Sequence, residues 1–164
     1  MKYLLGQKLF ALGDDYTIKD EAGNDAYFID GKAFTVRDHL TFQDMSGNEL
    51  CVIQKKLLAW GPTYEIYHNG ALSAVVKESI FSLLGHRFTV DDQNGPSDLE
   101  AGGNFTSHEY TFTRAGTPVA RASESWFTLA DTYAVDIADG EDPVLILACA
   151  VVIDRCAVEA EKRR

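Results

Sequence analysis

Basic residues are scarce in this chain: 15 Lys and Arg stand against 25 Asp and Glu, for a formal net charge of -10 at pH 7. Proteins that bind nucleic acid nonspecifically present a concentrated positive face to the phosphates. The composition therefore disfavours nucleic acid as a partner. It also favours a protein or a small ligand over an anionic membrane, unless a local basic patch overcomes the repulsion.

Signals for export are also missing. The start MKYLLGQKLFALGDD carries only scattered apolar residues, interrupted by Lys8, Asp14 and Asp15, so it lacks the continuous apolar core of a signal peptide. No apolar run reaches the roughly 20 residues that a membrane-spanning helix needs. We therefore expect a cytoplasmic protein without a transmembrane segment.

Catalytic motifs are absent as well. Ser123 and Ser125 lack the Gly-x-Ser-x-Gly pattern of a nucleophile elbow, and Gly102-Gly103 lacks the following Lys of a phosphate-binding loop. The four histidines show no pair at metal-ligand spacing. An odd number of cysteines cannot all pair, and we expect buried, reduced thiols at Cys51, Cys149 and Cys156.

Two stretches repeat at an offset of 24 residues, 16-YTIKDEAGNDAYFI-29 and 40-LTFQDMSGNELCVI-53. In each, an alternating strand ends at Asp20 or Asp44, and a second strand begins just past Gly23-Asn24 or Gly47-Asn48. Asp caps a turn with its side chain, while Gly and Asn tolerate the positive φ of a short loop. The repeat predicts two β-hairpins.

A second repeat, at an offset of 46, relates 64-YEIYHNGALSAVVKESIFSLLGHRFTV-90 to 110-YTFTRAGTPVARASESWFTLADTYAVD-136. Each copy predicts a strand, a tight turn at Asn69-Gly70 or Ala115-Gly116, a long strand and a third strand. Further strands are predicted near Gln7 to Leu12 and near Leu99 to Asn104. About a dozen short strands without helical periodicity favour a closed antiparallel barrel.

The segment 142-DPVLILACAVVID-154 is apolar at ten successive positions, from Val144 to Ile153. Asp142 suits a helix N-cap and Pro143 the first helical position. Ten helical residues rise about 15 Å, half of a hydrocarbon layer. A helix that is apolar on every side must be surrounded by protein. We therefore expect one mainly β domain, 1–164, in which a closed antiparallel barrel of about twelve strands encloses a C-terminal helix over about 142–161.

Three segments resemble the LURP-one-related family, which belongs with tubby C-terminal domains and phospholipid scramblases. They are the opening QKLFALGDDYTIKDEAGN, 54-QKKLLAWGPTYEIY-67 and 125-SWFTLADTYAVDIADGEDPVLILACAVVID-154. The resemblance runs along almost the whole chain and implies a twelve-stranded barrel around a central hydrophobic helix. Tubby domains bind phosphoinositide headgroups through a basic pocket, but the positive residues here are dispersed along the sequence: Lys55, Lys56, Lys77, Arg87 and Arg114.

The main functional hypothesis is a noncatalytic binding module that contacts a protein partner or a phospholipid headgroup. We expect no cofactor, a monomer, and a cytoplasmic location that includes peripheral contact with a membrane. Trp60 and Trp126 each sit in an aromatic or apolar strand segment and are interpreted as core or barrel-rim packing rather than as stacking platforms.

The alternative hypothesis is calcium binding or a metal-dependent activity at the acidic loop 136-DIADGEDP-143, just before the helix. Asp139, Glu141 and Asp142 offer the hard oxygen ligands that calcium and magnesium prefer, although their spacing does not match an EF-hand loop. Against this, Asp142 is also the predicted helix cap, and Asp-Gly pairs are common in turns.

Overall fold

Twelve strands and one helix make up the computed structural model, which describes residues 1–6, 15–30, 39–79, 86–124 and 132–164. The strands close into a single antiparallel barrel, and the fold expected from the sequence is confirmed. The strands are β1 (Lys2–Gly6), β2 (Tyr16–Asp20), β3 (Asp25–Asp30), β4 (His39–Asp44), β5 (Glu49–Lys55), β6 (Thr63–His68), β7 (Ala71–Ser79), β8 (Arg87–Asp92), β9 (Leu99–Asn104), β10 (Glu109–Arg114), β11 (Thr117–Glu124) and β12 (Thr132–Ile137).

The barrel has an up-and-down topology. Each strand pairs with its neighbours in sequence, and β1 pairs with β12 to close the circle, from Lys2 opposite Asp136 to Gly6 opposite Thr132. The amino group of Met1 donates to the carbonyl of Ile137 at 2.8 Å, which extends the closure by one residue. Because the strands alternate in direction, successive connections lie at alternate ends of the barrel.

Both predicted hairpin pairs are confirmed. Asp20 Oδ1 accepts the backbone N–H of Asn24 at 2.9 Å, and Asp44 Oδ1 accepts that of Asn48 at the same distance. Gly23 and Gly47 both have φ of 86°, a left-handed conformation that glycine adopts without strain. The turns Asn69-Gly70 and Ala115-Gly116 have positive φ at both residues, as the turns of two-residue hairpins require.

Pro143–Lys162 forms the C-terminal helix, here called the central helix. Asp142 caps it as predicted, since its Oδ1 accepts the N–H of Val144 at 2.9 Å. Ten consecutive residues, Leu145 to Asp154, are buried, so every side of the helix is covered by the barrel wall. Among the described residues, no helix combines the length and apolar character needed to cross a membrane.

Two strand predictions lie outside the repeated segments. The strand predicted near Leu99 to Asn104 is confirmed as β9. The strand predicted near Gln7 to Leu12 lies outside the described residues, and so does Trp126. The structure also has a strand at Lys2–Gly6, whose alternation is too short to stand out in the sequence.

Gly103 in β9 is the site of a stability prediction. Its φ is 141°, and a Cβ there would lie 2.5 Å from the Glu109 carbonyl oxygen and 2.7 Å from the Tyr110 Cα. These are backbone atoms of the paired strand, which cannot move aside easily. We expect Gly103→Ala to lower the free energy of unfolding by about 2–4 kcal/mol, measured by urea denaturation.

Gly102→Ala is the matched control, because a Cβ on Gly102 would meet no atom within 4 Å. We expect this neighbour substitution to change stability by less than about 1 kcal/mol. Equal losses in the free energy of unfolding for the two variants would show that the close approach of β9 and β10 at Gly103 does not affect stability.

Candidate functional site

The connection between β5 and β6, residues 56–62, exposes three large apolar side chains and is here called the apolar loop. Leu57 is 76% exposed, Leu58 95% and Trp60 completely. The interpretation of Trp60 as core or rim packing is therefore wrong. The physical reason is local: Gly61, with φ of 78°, and Pro62 turn the chain back toward β6, so Trp60 belongs to a loop rather than a strand.

The base of the apolar loop is held by hydrogen bonds to neighbouring strands. The N–H of Lys56 donates to the Thr63 carbonyl at 2.8 Å, which continues the β5–β6 ladder by one step. The N–H of Glu78 in β7 donates to the Pro62 carbonyl at 3.1 Å. The loop is thus anchored at both sides, while its apolar side chains extend into solvent.

The apolar loop shares one end of the barrel with the C-terminal part of the central helix. Lys55 Nζ lies 3.2 Å from Glu159 Oε2, and Arg155 Nε lies 3.2 Å from Glu159 Oε1. We call this the apolar end; it also contains the 105–108 turn between β9 and β10. Among the described residues at or beside this end, the exposed basic side chains are Lys56, Lys77, Arg87, Lys162, Arg163 and Arg164, and the exposed acidic ones are Glu124 and Glu161.

The opposite end of the barrel is acidic. It is formed by the turns 21–24, 45–48, 69–70, 93–98 and 115–116 and by the connection 138–142 into the central helix. Lys19 is paired with Asp25 at 2.6 Å and Arg114 is buried, while Lys2 is an exposed basic side chain among the described residues there. The acidic side chains in or beside these turns are Asp20, Glu21, Asp25, Asp44, Glu49, Asp91, Asp92, Asp98, Asp139, Glu141 and Asp142.

The three candidate metal ligands lie together at the acidic end, but two of them already have partners. Asp139 is exposed in a turn, Asp142 caps the central helix, and both oxygens of Glu141 bind Arg114. Within the described part of the chain, no group of three or more His, Cys, Asp or Glu side chains is arranged to hold a metal ion. The metal hypothesis stays a prediction, which a rise in Tm on adding calcium, magnesium or zinc would support and an unchanged Tm would contradict.

Arg114 is the centre of a buried ion cluster beneath the acidic end. Its Nη2 lies 3.0 Å from Asp92 Oδ2 and 2.9 Å from Glu141 Oε2, while Nε donates to Glu141 Oε1 at 3.1 Å. Nη1 donates to the Ser97 carbonyl. The hydrogen bonds to Glu141 are the main cause that raises the pKa of Arg114. The cluster ties β8, β10 and the start of the central helix together.

A second buried polar cluster joins the central helix to the barrel near the apolar end. Tyr133 donates its hydroxyl to Asp154 Oδ2 at 2.5 Å, and the His108 ring stacks on Tyr133 with 4.2 Å between centroids. His108 Nε2 lies 3.4 Å from Asp154 Oδ1. Burial raises the pKa of Asp154 above its ordinary 3.8, although the His108 contact acts in the opposite direction.

Asp154→Asn provides a pH-dependent test of this cluster. Because the folded pKa of Asp154 is raised, the residue's contribution to stability is full below 3.8 and is lost as pH rises toward the folded pKa. Asn carries no charge to bury. We therefore expect the stability of Asp154→Asn relative to wild type to increase as pH rises above 3.8, measured by urea unfolding at a series of pH values.

Asp44→Asn is the control, because its stability relative to wild type is expected to change with pH in the opposite direction. Hydrogen bonds from the Asn48 side chain and backbone are the largest causes that lower the pKa of the exposed Asp44. Its contribution is present above the unfolded pKa and is lost as pH falls. The stability of Asp44→Asn relative to wild type should therefore decrease with rising pH. If the relative stabilities of Asp44→Asn and Asp154→Asn changed with pH in the same direction, the pKa directions given for both residues would be contradicted.

A cavity of about 360 Å³ opens at the apolar end, between the central helix and the strands β8 and β9. Its volume lies near the lower limit of small-molecule sites. One wall is apolar, with Phe88, Phe105, Ile153 and Cys156, and its polar side includes Glu78, His86 and Arg164. The cavity gives the apolar end a concave feature beside the protruding apolar loop.

The thiols contribute no reactive group to either end. Cys51, Cys149 and Cys156 are free and buried, as predicted. Burial is the largest cause that raises the pKa of Cys51, to about 12, and it also raises the pKa of Cys149 and Cys156. At neutral pH these groups are thiols rather than nucleophilic thiolates.

The protein is a closed up-and-down barrel that is filled by its own C-terminal helix. It has one acidic and one apolar end. The chain belongs to the LURP-one-related family, which matches residues 1–154. It is similar to the uncharacterized protein YxjI of Bacillus subtilis (strain 168), with 28% identity over 155 residues, 94% of this chain and 92% of that protein.

An X-ray structure of a protein from Arabidopsis thaliana has the same fold. It aligns with a TM-score of 0.65 and 13% sequence identity, covering 94% of this chain and 90% of that chain. At this identity the likeness shows the fold alone.

The apolar loop was missed by the sequence interpretation, although a signal for it exists. Leu-Leu-Ala-Trp lacks the alternation of a half-buried strand, follows two lysines and ends at Gly61-Pro62, a pair that breaks strands. The contact between His108 and Asp154 has no comparable signal, because the two residues are far apart in sequence and meet only when the helix enters the barrel.

Proposed function

We propose that the protein is a noncatalytic binding module that contacts a protein partner or a phospholipid headgroup through the apolar end of its barrel. The observation that carries this proposal is the exposure of Leu57, Leu58 and Trp60 on one anchored loop. Exposed single apolar residues are ordinary, but a cluster of large ones marks interaction surfaces. Aromatic residues in particular supply binding energy at such surfaces.

The interior of the barrel supports a noncatalytic role. The central helix fills the space that a ligand or substrate occupies in other barrels, and its buried stretch is apolar from Leu145 to Ile153. Among the described acidic residues, Asp20 and Asp44 cap turns and Asp142 caps the central helix. Glu141 forms an ion pair with Arg114. These features support binding at the outer surface of one end of the barrel.

Photo-crosslinking in cells of the source organism tests this assignment without choosing the partner in advance. A photoreactive amino acid replaces Leu58 on the apolar loop in one variant and Met45 in the other. Met45 is the control because it is also apolar and 51% exposed, but lies in a turn at the acidic end.

We expect position 58 to form protein or lipid adducts on irradiation and position 45 to form few. The two classes of adduct are separated by gel electrophoresis and mass spectrometry. Adducts at position 45 alone, or none at either position, would contradict a binding role for the apolar end.

A further inference from the structure

We infer that the apolar loop inserts into the surface of an anionic phospholipid bilayer, with Leu57, Leu58 and Trp60 entering the boundary between headgroups and acyl chains. This inference rests on the proposed function and names the partner for the same end of the barrel. Three features of the described residues carry it: the shape of the loop, the chemistry of its side chains and the distribution of charge along the barrel.

The apolar loop protrudes instead of forming a flat patch. Its base is fixed by the hydrogen bonds of Lys56 to Thr63 and of Glu78 to Pro62, so the exposed side chains are held away from the barrel wall. A protein partner would need a cleft matched to this projection, whereas a bilayer accepts a protruding apolar group of any outline. Insertion requires no rearrangement of the barrel, because the side chains are already exposed.

The residue types match the layers of a membrane surface. Leu57 and Leu58 suit the acyl boundary, and the amphipathic ring of Trp60 suits the level of the headgroups. Lys56 precedes these residues directly and is exposed, so its ammonium group can remain among the lipid phosphates while its stem lies against apolar surface. Interfacial binding in general combines apolar burial with attraction of basic residues to anionic lipid.

The distribution of charge removes the objection that a protein of net charge -10 is repelled by an anionic surface. The central helix of 20 residues runs between the two ends and is about 30 Å long. The Debye length at physiological salt is about 8 Å, so exposed charges at the acidic end are largely screened from a bilayer at the apolar end. Among the described residues at or beside the apolar end, six exposed basic side chains outnumber two exposed acidic ones, Glu124 and Glu161, so this part of the surface presents positive charge to the lipid.

Sedimentation with lipid vesicles at physiological salt tests the inference. One set of vesicles is phosphatidylcholine alone, and the other is phosphatidylcholine and phosphatidylglycerol in equal parts. We expect the wild-type protein to sediment with the mixed vesicles and only weakly with the neutral ones. The triple variant Leu57→Ser, Leu58→Ser, Trp60→Ser should lose at least about tenfold in partitioning to the mixed vesicles.

The matched control is the double variant Met45→Ser, Leu72→Ser. It removes apolar side chains that are 51% and 40% exposed near the acidic end, so it lowers surface hydrophobicity without touching the apolar loop. We expect it to bind like the wild type. Circular dichroism and the Tm of each variant confirm that the compared proteins are folded. A control that loses binding as much as the triple variant would contradict insertion through the loop.

Tryptophan fluorescence reports insertion directly. The chain has two tryptophans, and Trp60→Phe identifies the signal that belongs to the loop. We expect mixed vesicles to shift the wild-type emission to shorter wavelength and brominated lipids to quench it, with both effects absent in Trp60→Phe. Sedimentation without a shift or quenching of Trp60 would indicate headgroup contact alone and would overturn insertion.

The vesicle and crosslinking results separate this inference from the proposed function. Absence of binding to mixed vesicles, together with protein adducts from the photoreactive group at position 58, would overturn the membrane inference and leave a protein-binding module. Absence of both vesicle binding and adducts would reject both. Equal binding of the triple variant and the wild type would place any lipid contact elsewhere on the barrel.

Discussion

Replacing Ala150 by Asp is expected to destabilise the protein by at least about 4 kcal/mol and to prevent folding under most conditions. Ala150 has no exposed surface and lies in the middle of the central helix, where the neighbouring helix residues are apolar. A carboxylate at this position would lose its hydration without gaining a partner. Soluble yield, circular dichroism and urea unfolding measure the effect.

Ala160→Asp is the control for the same chemical change on the same helix. Ala160 is exposed near the apolar end, so a carboxylate there remains hydrated. Its unfavourable interaction with the helix C-terminus amounts to about 1 kcal/mol or less. A folded Ala150→Asp variant with the stability of Ala160→Asp would mean that the helix is not enclosed by the barrel.

Replacing Arg114 by Met is expected to cost about 3–5 kcal/mol of stability. The guanidinium is 9% exposed and binds Asp92 and Glu141, whose side chains are 4% and 15% exposed. Without it, two carboxylates remain near one another with little access to water. The free energy of unfolding from urea denaturation measures the loss, and removing the charges in Asp92→Asn, Arg114→Met, Glu141→Gln should recover part of it.

Arg121→Met separates burial from charge in that experiment. Arg121 is also paired with a carboxylate, Glu109 at 3.4 Å, but its side chain is 69% exposed. Exposed pairs contribute less than about 1 kcal/mol because water and salt screen them. If Arg114→Met were no more damaging than Arg121→Met, the cluster beneath the acidic end would not hold β8, β10 and the helix together.

The architecture could be predicted because its strongest determinants are local. Asp20 and Gly23, like Asp44 and Gly47, specify a hairpin within a few residues, and the sequence from Leu145 onward requires enclosure on all sides. Barrel closure then follows from the need to surround the helix. None of these steps depends on knowing which distant residues meet.

The candidate site could be predicted only in part, since exposure depends on where strands stop. The sequence places Trp60 in an apolar segment, but only the anchored turn at Gly61-Pro62 shows that the segment lies outside the barrel. The separation of charge into two ends is equally hidden in the sequence. Acidic residues lie in or beside the connections 21–24, 45–48, 93–98 and 138–142, and these connections form one surface only after the strands fold up and down.

The central helix is enclosed by strands that all precede it in the sequence, and this order has a consequence for synthesis of the chain. The barrel closes through β1 and β12, whereas the helix that fills it, Pro143–Lys162, leaves the ribosome after every strand. The strands therefore emerge before the helix that they enclose. Until the helix is made, incomplete chains expose the apolar faces of these strands to water. Such non-local pairing slows folding and exposes intermediates to aggregation. Chaperones that recognise apolar strands would therefore encounter this protein chiefly before residues 143–164 are complete.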